Sequence, residues 1–583
     1  MNWFVLFRFL FVFCNGIAAA MFQKRTVAEA PEFATGAKRM RAGLNDVFLG
    51  NKLSAAEVHY LAQAAHDAGV QHVRDIAKAA GNNTSSSSKK NMHRNILQAF
   101  TKSSRWPSLY YAPVRVWNPK TQQEEKRILP FMLPHEILHK LSQVNSLTAL
   151  ACQEGMAAGT KEHMAKSEAA MGLAPGSLIG FGLWGDGVPC NWDRSQSMDM
   201  WTLSLPGLPP HKSEFRLPLV AINLKYVVVE NTMDDICSIL AWSFQQCALG
   251  KMPAMRHNGD PFNQTDAKRK KLIGKDFPRA ILSEVRGDWA WYKQCFRFPQ
   301  HNELGGICFR CQACPATYRD CSLSADWRSQ RLTHWQLLAR FQEQGIHISP
   351  LFDCPFLRSN CFQLDWLHVA DIGVSANFLG SLLLLFQTKY PGNNIGTRCS
   401  EMYLDLNQWY VDNGIESKLD QLTPLMLKPA KGFPHLRGKG AEVRALIPWA
   451  QIMAQRLLSD AVPLENTAKA AMAHLHACYN CLSHANFDSN VLQVNSRKFA
   501  LLYVALEEMH PERWHVVPKL HMFQEMNEMS PTRPSCVWGY RDESFGGYLA
   551  GLCRLKGGAC SPLAQGRIML QKFQARHVLP VLA

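Results

Sequence analysis

GFGLWGDGVPCNWDRSQSMDMW, residues 180–201, sets one acid, Asp186, between two glycines at the end of an apolar run. Gly-Asp-Gly by itself is a turn signal. The surroundings argue for strands: LIGFGLW (178–184) alternates, DMWTLSL (199–205) is a second short strand, and RLPLVAINLKYVVV (216–229) is a third, richer in β-branched residues. Three strands in succession read as a meander. Asn231 or Thr232 then caps the apolar helical run 233–249, with Thr232 and Asp235 at capping-box spacing. After the basic loop DAKRKKLIGK (266–275), the segment 279–296 gives a strand ending at Asp288 and then a helix. If the first and fourth strands are neighbours, Asp186 and Asp288 lie side by side, and two converging carboxylates make a divalent-metal site. Gly185 and Gly187 would allow a substrate backbone to approach closely.

A chain of 583 residues is too long for one ordinary domain, and its 47% hydrophobic and 19% charged residues are those of a folded protein rather than a disordered or fibrous one. Residues 21–105 read as a helical N-terminal region. It contains an Ala-rich helical stretch (53–80) followed by GNNTSSSSKKN (81–91), which has the composition of a flexible linker. Residues 106–175 read as a connecting region, and beyond 374 the periodicity is mostly helical. Sixty-three Lys and Arg against 47 Asp and Glu leave a net charge of +16, which makes a polyanion, and nucleic acid first, the expected partner. No later segment has 18 uninterrupted apolar residues, so integral membrane association is not expected.

Residues 1–20 have two readings. An apolar core followed by small residues resembles a secretory signal cleaved near Ala20. The segment lacks an early Lys or Arg, however, its one cation is Arg8 inside the apolar run, and Met21 opens a polar stretch, so residues 1–20 also read as a spurious upstream extension. The first reading makes the protein secreted, with Asn83 and Asn263 as glycosylation candidates; the second leaves the nucleus open.

Three further groups could carry chemistry. Cys308, Cys311, Cys314 and Cys321 follow a C-x2-C-x2-C-x6-C pattern, in which one C-x-x-C turn holds two corners of a zinc tetrahedron; Cys314, Cys321 or His334 could complete it. His135, Glu136 and His139 match H-E-x-x-H, the zinc metallopeptidase signature, on a helix begun by Pro134. There the apolar stripe Ile137, Leu138, Leu141 and Val144 leaves both histidines facing solvent or a groove, and Glu154 or Glu162 could be a third ligand. Near the C-terminus His521, Glu525, Asp542 and Glu543 cluster among aromatics, and Asp542 and Glu543 before Gly-Gly also suit a helix start.

Taken in order, GLWGDGV, RGDWAWYKQCFRFP with the following GICFRC, FQLDWLHVADIGVSANFLGSLL and PKLHMFQEM…WGYRDESFGG resemble cut-and-paste DNA transposases with an RNase H-like core, of the CACTA (En/Spm) and Plavaka type. The resemblance implies an α/β fold: an RNase H-like mixed sheet in residues 176–372, with a zinc element at about 305–335, interrupted by a helical insertion (373–510) and completed by 511–583. It implies metal-dependent DNA strand cleavage and transfer, with two Mg2+ ions held by Asp186, Asp288 and Glu543. Asp365, His368, His521, Glu525 and Asp542 would be accessory, and Zn2+ would be structural. Lys268, Arg269, Lys270, Lys271, Arg437 and Lys439 would contact DNA phosphates, in a nuclear protein that could act as a homo-oligomer. A non-enzymatic DNA-binding relic of the same ancestry and a secreted H-E-x-x-H peptidase are the competing expectations.

Overall fold

The computed structural model describes residues 36–50, 52–79, 86–101, 105–191, 193–209, 215–300, 306–529, 531–554 and 562–582. The two readings of residues 1–20, and Asn83, fall outside them.

The meander forms as expected. Strands β3 (Ile179–Pro189), β4 (Ser197–Ser204) and β5 (Arg216–Asn223) run antiparallel in sequence, and β6 (Ala280–Gly287) returns to lie parallel to β3, giving the order β5-β4-β3-β6. They follow the separate hairpin of β1 (Tyr110–Asn118) and β2 (Gln123–Phe131). Every residue of β5 and β6 is buried, Ser283, Glu284 and Arg286 of β6 included, because helices cover the sheet. Asp186 is not in a turn. It sits inside β3, opposite Met200 of β4.

Helices occupy the rest of the chain. In the N-terminal part these are α1 (Gly36–Leu49), α2 (Ala55–Asp67) and α3 (Ser86–Thr101), which pack into a small apolar core of their own together with Ile568 and Ala575 from the far end of the chain. The serine run from Ser86 is therefore helix and not linker, because Ile96, Leu97 and Phe100 bury its downstream half and tertiary packing overrides a weak local propensity. The expected connecting region holds the β1–β2 hairpin, α4 (Pro134–Leu141) and α5 (Ala158–Ala170). Helix α6 (Val229–Leu249) starts earlier than its capping-box spacing suggests: Thr232 accepts from the backbone N–H of Val228, and Asp235 pairs with Arg115 of the hairpin.

After β6 come α7 (Trp289–Phe296) and α8 (His334–Glu343), then a nine-residue π-helix (Leu367–Ser375) continuous with α9 (Ala376–Phe386). The joined helix Leu367–Lys389 is long and apolar enough to cross a membrane by length and composition, but 83% of its most apolar window is buried inside the protein. The helical segment that follows comprises α10 (Ile395–Asp412), α11 (Gly440–Leu457), α12 (Pro463–Asn480) and α13 (Ser489–Met509). The chain then returns to the sheet through α14 (Lys519–Gln524), α15 (Tyr540–Cys553), which packs on β3, and α16 (Pro562–Arg576), which packs on β5.

Glycines set the closest approaches. Gly185 of β3 pairs with Gly287 of β6, and a Cβ on either would fall 2.0 Å and 2.4 Å, respectively, from the Trp291 ring of α7. Gly185 thus admits a core indole rather than a substrate backbone, while Gly187 is exposed. An alanine at 185 must displace Trp291, so Gly185→Ala should destabilise the protein by about 1–3 kcal/mol, the usual cost of overpacking, read as a lowered urea midpoint with unchanged slope.

Candidate active site and metal centre

The register places the first two acids. Gly185 and Gly287 are paired on adjacent parallel strands, so Asp186 and Asp288 are each the next residue beyond a matched position. Asp288 is the N-cap of α7, its carboxylate accepting from the Trp291 N–H at 2.6 Å, and Asp186 accepts from the Gly187 N–H at 2.6 Å. A third acid arrives on α15. Gly546 lets that helix close on Trp184 and Val188 of β3, where a Cβ would sit 2.9 Å from the Trp184 ring. Three residues earlier, Glu543 meets Asp186 and His368, the ligand atoms of the three lying within 4.8 Å of one another.

The charges at this spot oppose each other. Burial, and then the charge of Asp186, raise the Asp288 carboxyl above its usual range, and the same two causes, with a hydrogen bond to Asp186, raise Glu543. The Oε1 atom of Glu543 is buried without a hydrogen bond. Carboxylates crowded this way are a donor set suited to a hard cation such as Mg2+. His368 plays a different part. Its Nδ1 bonds Asp365 at 2.5 Å and its Nε2 lies 3.6 Å from Glu543. Burial works against its charge, but the bond and charge of Asp365 and the other acids outweigh that and push the group up to about 9. His368 pairs with Asp365 through Nδ1 and stands in the same group of ligand atoms as Asp186 and Glu543, while Asp288 adjoins that group from the neighbouring strand.

Asp365 is a clamp, its other oxygen accepting from the Gly539 N–H at 2.6 Å just before α15. Sequence reasoning missed its neighbour Asp371, fully buried and bonded by the hydroxyls of Tyr479 and Tyr540, each at 2.6 Å. Tyr540 lies one helical turn before Glu543, so Asp365 and Asp371 together fix the start of the helix that delivers the third acid. The nine-residue π-helix that carries His368 and Asp371 was the only available signal: its apolar run is broken by polar residues. Asp542, expected among the accessory acids, points the other way. It is fully buried between Arg216 of β5 at 2.5 Å and Arg286 of β6 at 3.3 Å.

The cysteine pattern resolves differently from expectation. Cys308 and Cys311 are gathered with His521 of α14 and with Glu525, all four buried and their ligand atoms within 4.8 Å. Cys314 instead contacts Thr317, Cys321 accepts from Gln524 at 3.1 Å, and His334 packs on Phe352; none of them belongs to the group. The local spacing misleads because the second pair comes from about 200 residues away in sequence, where His521 and Glu525 are one helical turn apart. The Arg310 N–H donates to the Cys308 sulfur at 3.2 Å and the Ala313 N–H to the Cys311 sulfur at 3.4 Å, bonds that favour thiolates. Burial alone would raise Cys308, but bonds from Cys311 and His521 hold it well below the ordinary thiol range. His521 Nδ1 and Glu525 Oε2 are buried without hydrogen bonds, although Arg331 pairs with the other Glu525 oxygen. Two sulfurs, one imidazole and one carboxylate could hold a zinc-like ion.

The H-E-x-x-H helix forms with Pro134 in its first turn, but its polar residues face inward. His135 bonds Ser243 at 2.8 Å and packs on Trp242, and burial, followed by the charge of Arg269, lowers it to about 3. Glu136 is paired with Arg269 at 2.5 Å, and His139 lies against Phe277. Among the described residues no further ligand gathers there, and a glutamate held by arginine is no free base. The same pair removes Arg269 from the expected DNA-contacting set, since it is buried between Glu136 and Asp266. Lys268, Lys270, Lys271, Arg437 and Lys439 are exposed.

Comparison of the chain with models of known protein families and with curated proteins returns no match.

Proposed function

We propose that this chain is a DNA transposase, or a descendant of one, that cuts and joins phosphodiester bonds at the cluster of Asp186, Asp288 and Glu543. The observation that carries this reading is that Asp186 and Asp288 sit at matched ends of adjacent strands while Glu543, more than 350 residues beyond Asp186, reaches Asp186 from α15. The sheet order, with the first and fourth strands parallel neighbours and the acids at their ends, supports an RNase H-like core with residues 373–510 inserted before its last helices. The three carboxylates would hold two Mg2+ ions, which supply a nucleophile at neutral pH and charge stabilisation for the leaving oxygen. The chain itself supplies the rest: Asp288 is fixed by capping α7, His368 orients Glu543, and Asp365 and Asp371 hold the start of α15. Exposed Arg437 and Lys439 offer phosphate contacts, and the surplus of positive charge suits a nuclear DNA partner.

The Cys308, Cys311, His521 and Glu525 group would bind a structural zinc ion that ties the C-terminal α14 to the cysteine loop between α7 and α8. Purified protein should carry one zinc ion per chain by elemental analysis, and Cys308→Ser should lose most of it together with stability.

A supercoiled-plasmid assay tests the function. Nicking that requires Mg2+ or Mn2+ and stops on chelation is the expected result. Salt-dependent DNA binding without any nicking would instead favour a DNA-binding relic.

A further inference from the structure

Beside the carboxylates lies a cavity of about 540 Å³ that the reading above leaves without a role. Its lining includes Asp288 and His368 themselves, then Trp289, Ile372, Asn377 and Lys519. Its walls are mostly apolar. The Trp289 indole is pinned, its N–H donating to the Pro299 carbonyl at 2.9 Å, so the ring cannot swing out of the wall. The π-helix also lines it, and its Gly373 leaves room for the Lys519 stem: a Cβ there would lie 2.8 Å from Lys519 Cδ. The Lys519 ammonium donates to the His368 carbonyl at 2.9 Å and has further donors. A slot with an aromatic wall, side-chain amides, one cation and an opening onto a catalytic acid matches the chemistry of a single nucleotide: the base stacks, and its phosphate meets the ammonium.

We infer that this cavity takes one nucleotide of the DNA substrate out of the helical stack, next to the phosphodiester presented to Asp186, Asp288 and Glu543, with Trp289 contacting the base and Lys519 its phosphate. The inference rests on the DNA reading above. It explains why an apolar cavity large enough for a base adjoins a cluster built for a charged backbone. Holding a nucleotide unstacked also bends the strand and exposes the bond beside it, with most of the unstacking cost offset by contacts in the cavity.

The experiment compares three short duplexes of otherwise identical sequence, bound to the full-length protein in Ca2+ and read by fluorescence anisotropy. One is fully paired, one has a single unpaired nucleotide, and one has an abasic unit at the unpaired position. The unpaired nucleotide should bind about tenfold more tightly than the abasic unit, as expected for one base stacked on protein, and Trp289→Ala should erase that difference. Lys519→Met should weaken both bulged duplexes. Equal binding of the nucleotide and abasic bulges overturns the inference and leaves the DNA reading standing, as does a Trp289→Ala protein that keeps the full preference. Failure to bind any of the three duplexes sinks the DNA reading and this inference with it.

Discussion

Asp186→Asn should abolish the proposed divalent-dependent nicking, by on the order of a thousandfold, without unfolding the protein, and Asp288→Asn and Glu543→Gln should do the same. The amide keeps the shape of the carboxyl but removes the charge that the cation and the developing transition state require. The accompanying stability change should be zero or positive. Burial and mutual repulsion raise the Asp288 and Glu543 carboxyls above their ordinary range. A group raised in the folded state holds its proton longer there than in the unfolded chain. Its contribution to stability is therefore lost as pH rises from the ordinary carboxyl range through the raised value. At neutral pH burying these acids side by side costs stability, so an amide in place of one relieves that cost, the usual exchange of stability for activity. Urea midpoints of the three variants, taken without divalent ions, check this: they should equal or exceed that of the wild type.

Asp542→Ala has the opposite profile and should cost about 3–5 kcal/mol, because it removes the carboxylate that the buried Arg216 and Arg286 guanidiniums share. Both arginines are nearly fully buried and lie on the two outer strands of the sheet, so their common carboxylate joins β5, β6 and α15. Activity would fall with the fold rather than ahead of it. Urea unfolding should show the lost stability, and nicking per folded molecule at low temperature should stay near wild type. Adjacent residues on a helix point about 100° apart, which is how Asp542 and Glu543 come to face different surroundings.

That separation marks what the sequence makes legible. Local pattern was sufficient for the meander, for α6 and for the strand that ends at Asp288, because alternation and β-branched content record burial directly. The β1–β2 hairpin escaped it, since β2 is polar and mostly exposed from Gln123 to Arg127 and carries no apolar alternation. The acids at 186 and 288 could be paired from strand order alone. Choosing among Asp542, Glu543, Glu525 and Asp365 depends instead on which side of a helix faces β3, a fact set by Gly546 and the Trp184 ring. The metal group shows the same limit: Cys308 and Cys311 are three residues apart in sequence, whereas His521 and Glu525 reach them only through the fold. The H-E-x-x-H helix misled in reverse. Its histidines stand off the apolar stripe as periodicity suggests, yet Ser243, Trp242, Arg269 and Phe277 from elsewhere in the chain enclose that side.

Iron-directed backbone cleavage tests the central claim most directly. Fe2+ replaces Mg2+ at carboxylate sites and, with ascorbate and peroxide, cuts the chain beside the ion. The convergence of Asp186, Asp288 and Glu543 predicts cuts near all three positions, suppressed by excess Mg2+ and lost together in Asp186→Asn. Cuts near only one of the three segments, or cuts near all three that persist in Asp186→Asn, would contradict it.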